Sequence, residues 1–128
     1  MPAYLHTPDA PEAIGPYSQA VRAGPWVWVS GQLAIDPATG RLVEGGAAAE
    51  TAQAMRNVLS VLAAAGLTAR HLVRVGIYVT DLGAFQMVNE AYAQALGEAR
   101  PARATVQVAA LPRGAQVEIE AVAWAGGT

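Results

Sequence analysis

From Leu72 to Thr80 aliphatic and other residues take turns: Val73, Val75, Ile77 and Val79 against Arg74, Gly76, Tyr78 and Thr80. Side chains alternate across a strand, so this period of two predicts a strand with one aliphatic face. Ala20–Ala23 and Trp26–Gly31 predict a hairpin turning at Gly24-Pro25, with Val27 and Val29 on one face and Trp26, Trp28 and Ser30 on the other. Asp36-Pro37-Ala38-Thr39-Gly40 reads as a turn, and residues 1–13, with three prolines, as a leader arm.

The helical period takes over in two places. Gly46 to Ala65 predicts a helix stopped by Gly66, with Ala54, Val58, Val61, Leu62 and Ala65 inward. Asp81 is placed as the N-cap of a second helix over Leu82 to Leu96, whose apolar stripe is Phe85, Val88, Tyr92 and Leu96, with Asn89 at its edge. The stretch Pro101 to Ala125 predicts two strands broken at Leu111-Pro112-Arg113-Gly114. In the first, Ala104, Val106 and Val108 oppose Arg103, Thr105 and Gln107; in the second, Val117, Ile119, Ala121 and Ala123 oppose Glu118 and Glu120. Matching aliphatic face to aliphatic face puts Arg103, Glu118 and Glu120 on one side of a sheet.

Strands, helix, strand, helix, strands, each strand with one aliphatic face, imply a single α+β domain over residues 1–128 with both helices on that face. The other face carries Trp26, Trp28 and Tyr78, too apolar to lie in water, and is expected to meet copies of itself.

Composition narrows the chemistry. The chain is 53% hydrophobic and 14% charged, with a net charge of −2, so it lacks the basic footprint of a nucleic-acid binder. No apolar run is long enough to span a bilayer, which with the missing signal pattern predicts a cytoplasmic protein without a membrane partner. There is no cysteine, and all eight basic side chains are arginine, so thiolate, Schiff-base and P-loop lysine chemistry are excluded. His6 and His71 stand far apart with no companion at ligand spacing, and no metal site is expected.

What remains is Arg, Asp/Glu, Tyr, Ser/Thr, backbone and water. Arg103 has either of two uses: a structural pair with Glu118, or a planar fork that holds a substrate carboxylate through two parallel hydrogen bonds. Glu118 and Glu120 have Cα atoms roughly 7 Å apart on one strand face, so one could neutralise an arginine while the other holds a water. Tyr17 follows the Gly15-Pro16 turn, as a packed ring or as a pocket hydroxyl.

Several motifs now fall in register: Ile14-Gly15-Pro16-Tyr17-Ser18-Gln19, Ser30-Gly31-Gln32, Asp81-Leu82, Val88-Asn89-x-x-Tyr92, Pro101-Ala102-Arg103-Ala104, Ala109-x-Leu111 and Val117-Glu118-Ile119-Glu120-Ala121. Together they resemble the RidA/YjgF family of imine deaminases over nearly the whole chain. The resemblance implies a chorismate-mutase-like fold, a mixed sheet with two helices packed on one face, and a homotrimer closed around a central barrel with active sites between subunits. It implies cofactor-free hydrolysis of 2-imino acids and their enamines, such as 2-iminobutanoate and 2-iminopropanoate, to 2-keto acids and ammonia. It links the protein to the pyridoxal-phosphate enzymes that release those imines.

By the same resemblance, Arg103 binds the substrate carboxylate, Glu120 handles the water, Tyr17 supplies its hydroxyl, and Ser30, Gly31 and Asn89 shape the pocket, with Glu118 structural. Thr105 stands where many members carry cysteine; it keeps a hydrogen-bonding group and bears on substrate range. The alternative is a non-catalytic sensor of small carboxylates on the same fold.

Overall fold

The computed structural model describes residues 1–126. Ten elements matter for the site: β1 (Ala3–Leu5), β2 (Ala20–Ala23), β3 (Trp26–Leu33), β4 (Ile35–Asp36), β5 (Arg41–Leu42), α1 (Gly46–Ala64), β6 (Leu72–Val79), α2 (Phe85–Leu96), β7 (Ala102–Gln107) and β8 (Val117–Trp124). The main sheet has the order β1-β2-β3-β8-β6-β7, and β4 and β5 form a small hairpin of their own. Every neighbouring pair is antiparallel except β6 and β7, which run parallel.

One face of the sheet is buried under the helices. Val27, Val29, Val75, Ile77, Val79, Val117, Ile119, Ala121 and Ala123 meet Ala54, Met55, Val58, Val61 and Leu62 of α1 and Val88, Tyr92 and Leu96 of α2. Truncating one of the fully buried members, such as Ile119, to alanine typically costs 2–5 kcal/mol. The other face stays open, with Trp28 58% exposed and Tyr78 only half-buried.

The α+β architecture with both helices on the aliphatic face is as the alternation predicts. Four details differ. The arm is not all coil, since Ala3–Leu5 pairs with β2. The second helix opens with a 3-10 turn, Leu82–Ala84, capped by Asp81 Oδ1 accepting from Gly83 N at 2.8 Å. Val73 does not join the buried face: the register with β8 slips between Leu72 and Arg74, so Leu72 is buried and Val73 is 42% exposed.

The fourth difference decides where the site lies. β7 and β8 are consecutive but not neighbours, because β6 runs between them. The parallel register pairs Arg103 with Val75 and Thr105 with Ile77, which places both on the helix-backed face. Ala104 and Val106 share the open face with Gly76 and Tyr78. The expectation that Arg103 lies on the same side as Glu118 and Glu120 is therefore corrected. Aliphatic residues identify the core face of an interior strand, but β7 is an edge strand, and there alternation alone leaves the face unassigned.

Candidate functional site

On the helix-backed face, α2 and β7 gather one group of side chains. Tyr92 of α2 meets Arg103 of β7, Asn89 stands three residues before Tyr92 on the same helix, and Thr105 lies two residues after Arg103 on the same face of the strand. The Arg103 guanidinium lies over two rings, 5.1 Å from the Tyr92 centroid and 5.6 Å from Phe85. No ion pair or hydrogen bond to its side chain occurs among the described residues. The structural alternative, an ion pair with Glu118, is ruled out within one chain by the opposite faces. Asn89 Oδ1, Tyr92 Oη and Thr105 Oγ1 are buried without a hydrogen-bond partner among the described residues. Burial pushes the Tyr92 hydroxyl pKa up, against the nearby charges of Arg103 and Arg100. Gln107, on the same face, is committed elsewhere: its Oε1 accepts from Leu82 N at 2.8 Å.

The open face holds the second group. β3 gains one residue relative to β8 between Val29 and Gln32, and this bulge sits at Ser30-Gly31, across from Glu120. Ser30 Oγ donates to Ser18 O at 2.6 Å and its amide to Gln19 O at 2.9 Å, tying the bulge to the turn that carries Tyr17. The buried Gln19 fixes that turn from behind: Nε2 donates to Pro11 O at 2.8 Å, and Oε1 accepts from Thr7 N at 2.7 Å. Tyr17, Gln19, Gly31, Gln32 and Glu118 line a cavity of about 210 Å³, and Tyr17 with Ser30 also borders a shallower hollow of about 470 Å³. A Cβ on residue 31 would come within 2.8 Å of Glu118 Oε2, so only glycine lets the carboxylate lie against this backbone.

The two glutamates have different surroundings. Glu120, expected to handle water, accepts a short hydrogen bond from the Tyr78 hydroxyl, and Arg74 Nη1 stands 3.6 Å from the same oxygen. The hydrogen bond to Glu120 is also the main cause of the raised Tyr78 pKa. Glu118, expected to be structural, has no ion-pair or hydrogen-bond partner among the described residues and faces the cavity. Burial, and then the charge of Glu120, push its carboxyl pKa above the ordinary glutamate value. The alternation put Arg74, Tyr78 and Glu120 on one face, but pairing Gly76 opposite Glu120 needed the strand register.

The expected site residues are thus brought together in two groups rather than one. Arg103, Asn89 and Thr105 lie on one face; Tyr17, Ser30, Gly31 and Glu120 lie on the other, with Glu118 beside them. Tyr92 and Phe85 were read as core; the Asn89-x-x-Tyr92 spacing was the signal that they belong beside the arginine. Among the described residues no three His, Asp or Glu side chains are grouped to hold a metal ion.

The profile of the family described as Endoribonuclease L-PSP matches residues 7–125. The chain belongs to the YjgF/RidA family. It is 47% identical over 122 residues to the human 2-iminobutanoate/2-iminopropanoate deaminase, covering 95% of this chain and 89% of that one. It is 53% identical over 121 residues to Protein DfrA of Myxococcus xanthus, covering 93% and 92%. Among solved structures it is similar to E. coli TdcF with bound serine, at a TM-score of 0.91 and 37% identity, covering 95% of this chain and 98% of that one. YjgF/RidA structures share its mixed sheet and paired helices.

Proposed function

We propose that this YjgF/RidA protein hydrolyses small 2-imino acids to 2-keto acids and ammonia, at sites each built from two copies of the chain. The observation that carries this reading is the split itself: an unpaired arginine fork on one face, an unpaired carboxylate beside Tyr17 and Gly31 on the other. A single chain cannot set both against one small substrate. A second copy can, and the exposed Trp28 and Val106 and the half-buried Tyr78 of the open face support such a neighbour. A homotrimer closing three open faces into a barrel is the arrangement we propose. The deaminase name of the human relative and the serine bound to TdcF support a small amino-acid-like carboxylate as the ligand.

The chemistry then follows from charge. Arg103 receives the substrate carboxylate, stays protonated at any working pH, and fixes C2 relative to the partner face. Glu118, its proton affinity raised by burial, takes a proton from water as the oxygen adds to the iminium carbon. The resulting carbinolamine carries the former C=N nitrogen as an amine. Transfer of a proton to that nitrogen lets ammonia leave while the C=O bond forms. The net change is iminium plus water to ketone plus ammonium, with atoms and charge balanced. The Tyr17 hydroxyl and the Gly31 backbone border the reacting carbon, and Asn89, Thr105 and Ser30 shape the two walls. An iminium is already electrophilic, so the gain comes from orientation and a fixed polar surround.

The test couples the protein to a threonine or serine dehydratase, pyridoxal-phosphate enzymes that release such imines, and follows keto acid and ammonia. Acceleration over spontaneous hydrolysis is expected. Arg103→Ala should lose about 10²–10⁴-fold in kcat/KM, the worth of two charge-assisted hydrogen bonds, while remaining folded. No acceleration by the wild type overturns the assignment.

A further inference from the structure

Among the described residues Arg103 has no counter-ion. An arginine held by a carboxylate has its donors occupied and its charge neutralised, so an incoming anion must displace the resident one. Here the cation rests on ring faces, which attract it through their quadrupole and leave the planar N–H edge free. The Tyr92 ring is 5.1 Å away and Phe85 5.6 Å. Tyr92 is only 6% exposed, yet its hydroxyl has no partner, and neither do Thr105 Oγ1 and Asn89 Oδ1 on the same two elements. A buried hydroxyl without a hydrogen bond destabilises a fold relative to phenylalanine. Three such oxygens on the two elements that hold the half-buried guanidinium have a common electrostatic use, as dipoles that offset part of its positive charge.

The geometry points to Tyr92, assisted by Phe85, as the positioning residue of Arg103: an aromatic seat that aims the guanidinium while leaving its hydrogen-bonding edge and charge for a carboxylate. This rests on the reading of Arg103 as the carboxylate clamp. Tyr92 acts through Arg103 and has no part in the proton transfers, so its removal should weaken carboxylate binding and leave the chemical step nearly intact.

The probe is 2-oxobutanoate, titrated by calorimetry into the full-length protein, beside kcat and KM for imine hydrolysis. Tyr92→Leu should weaken binding and raise KM by about 5- to 30-fold, the range of a desolvated cation–π contact, with kcat within about threefold. Tyr92→Phe, which keeps the ring, should restore most of the affinity. The neutral methyl ester of the same keto acid should bind Tyr92→Leu and wild type alike. If Tyr92→Leu fails to fold, Phe85→Leu makes the same test at a ring already 40% exposed, where lost packing matters less. Keto-acid affinity unchanged in the leucine variant, with Arg103→Ala unable to bind, overturns the seat alone. Wild-type affinity in Arg103→Ala removes the clamp, and the seat with it.

Discussion

The two sides of the sheet are electrostatically complementary in what each lacks. On the helix-backed side Arg103 has rings and oxygen dipoles around it and no anion. On the open side Glu118 lies against Gly31 in a cavity and has no cation. Close by, Arg74 and Tyr78 serve Glu120, so the chain does pair charges where a structural pair is wanted. Unsatisfied charges of opposite sign on opposite faces make sense when the partner for each is supplied by substrate and by another copy. The difference between Glu118 and Glu120 is therefore one of neighbours rather than residue type: one environment consumes the carboxylate, the other leaves it available.

The strongest way to break this comparison is to separate the halves genetically. Arg103→Ala and Glu118→Gln should each be nearly inactive alone. When the two are unfolded together and reassembled, random mixing gives about a quarter of the inter-subunit sites both intact groups, so activity should return to about that fraction of wild type. If both groups acted from one chain, no mixture would recover activity. The absence of recovery in assemblies shown by mass to be mixed would end the shared-site reading.

A second test works inside the open face. Glu118→Gln should lower kcat by about 10²–10⁴-fold, the usual worth of a general base, and Glu120→Gln far less. The pH profile sharpens the distinction. The proposed mechanism needs ionised Glu118, whose carboxyl pKa is raised by burial and by Glu120. The acid limb of kcat/KM should therefore lie above the ordinary glutamate pKa and move down in Glu120→Gln, where the neighbouring negative charge is gone. Equal loss in the two variants, or an acid limb that does not move, would return the water-handling role to Glu120.

The fold was legible because its interior strands obey a simple period: Val75, Ile77, Val117 and Ile119 alternate into one core, and Val58, Val61 and Leu62 complete it. Arg74, Tyr78 and Glu120 were also assigned the correct face by alternation alone. What alternation could not give was strand order. With β6 between β7 and β8, the face of Arg103 depends on the parallel pairing of Val75 with Arg103, a contact between distant parts of the chain. The Leu72–Arg74 slip displaced Val73 for a similar reason, since a bulge changes the phase of a strand without changing its composition. The motif resemblance named both glutamates within one segment but carried no information on which of them Arg74 and Tyr78 would engage.

The smallest expected effect concerns stability, and its sign is set by the same carboxylate. Glu118 has a folded-state pKa raised above its unfolded value, so the folded protein binds this proton more tightly than the unfolded chain. Below about pH 4, under the unfolded pKa, the group is protonated in both states and costs nothing. As pH rises through the raised folded value, ionisation in a partly dry cavity removes stability, and the loss persists at neutral pH. Glu118→Gln removes a half-buried charge but keeps shape and hydrogen-bonding capacity. It should therefore raise the Tm at neutral pH by a few degrees at most, with the gain vanishing below about pH 4. Glu120→Gln, which breaks a satisfied cluster with Tyr78 and Arg74, should lower the Tm across neutral pH instead. Opposite signs from the same substitution two residues apart would show that Glu118 is kept at some cost to the fold. Thermal melts of both variants at neutral and acid pH decide it: equal signs at neutral pH would mean that Glu118 too is held by partners.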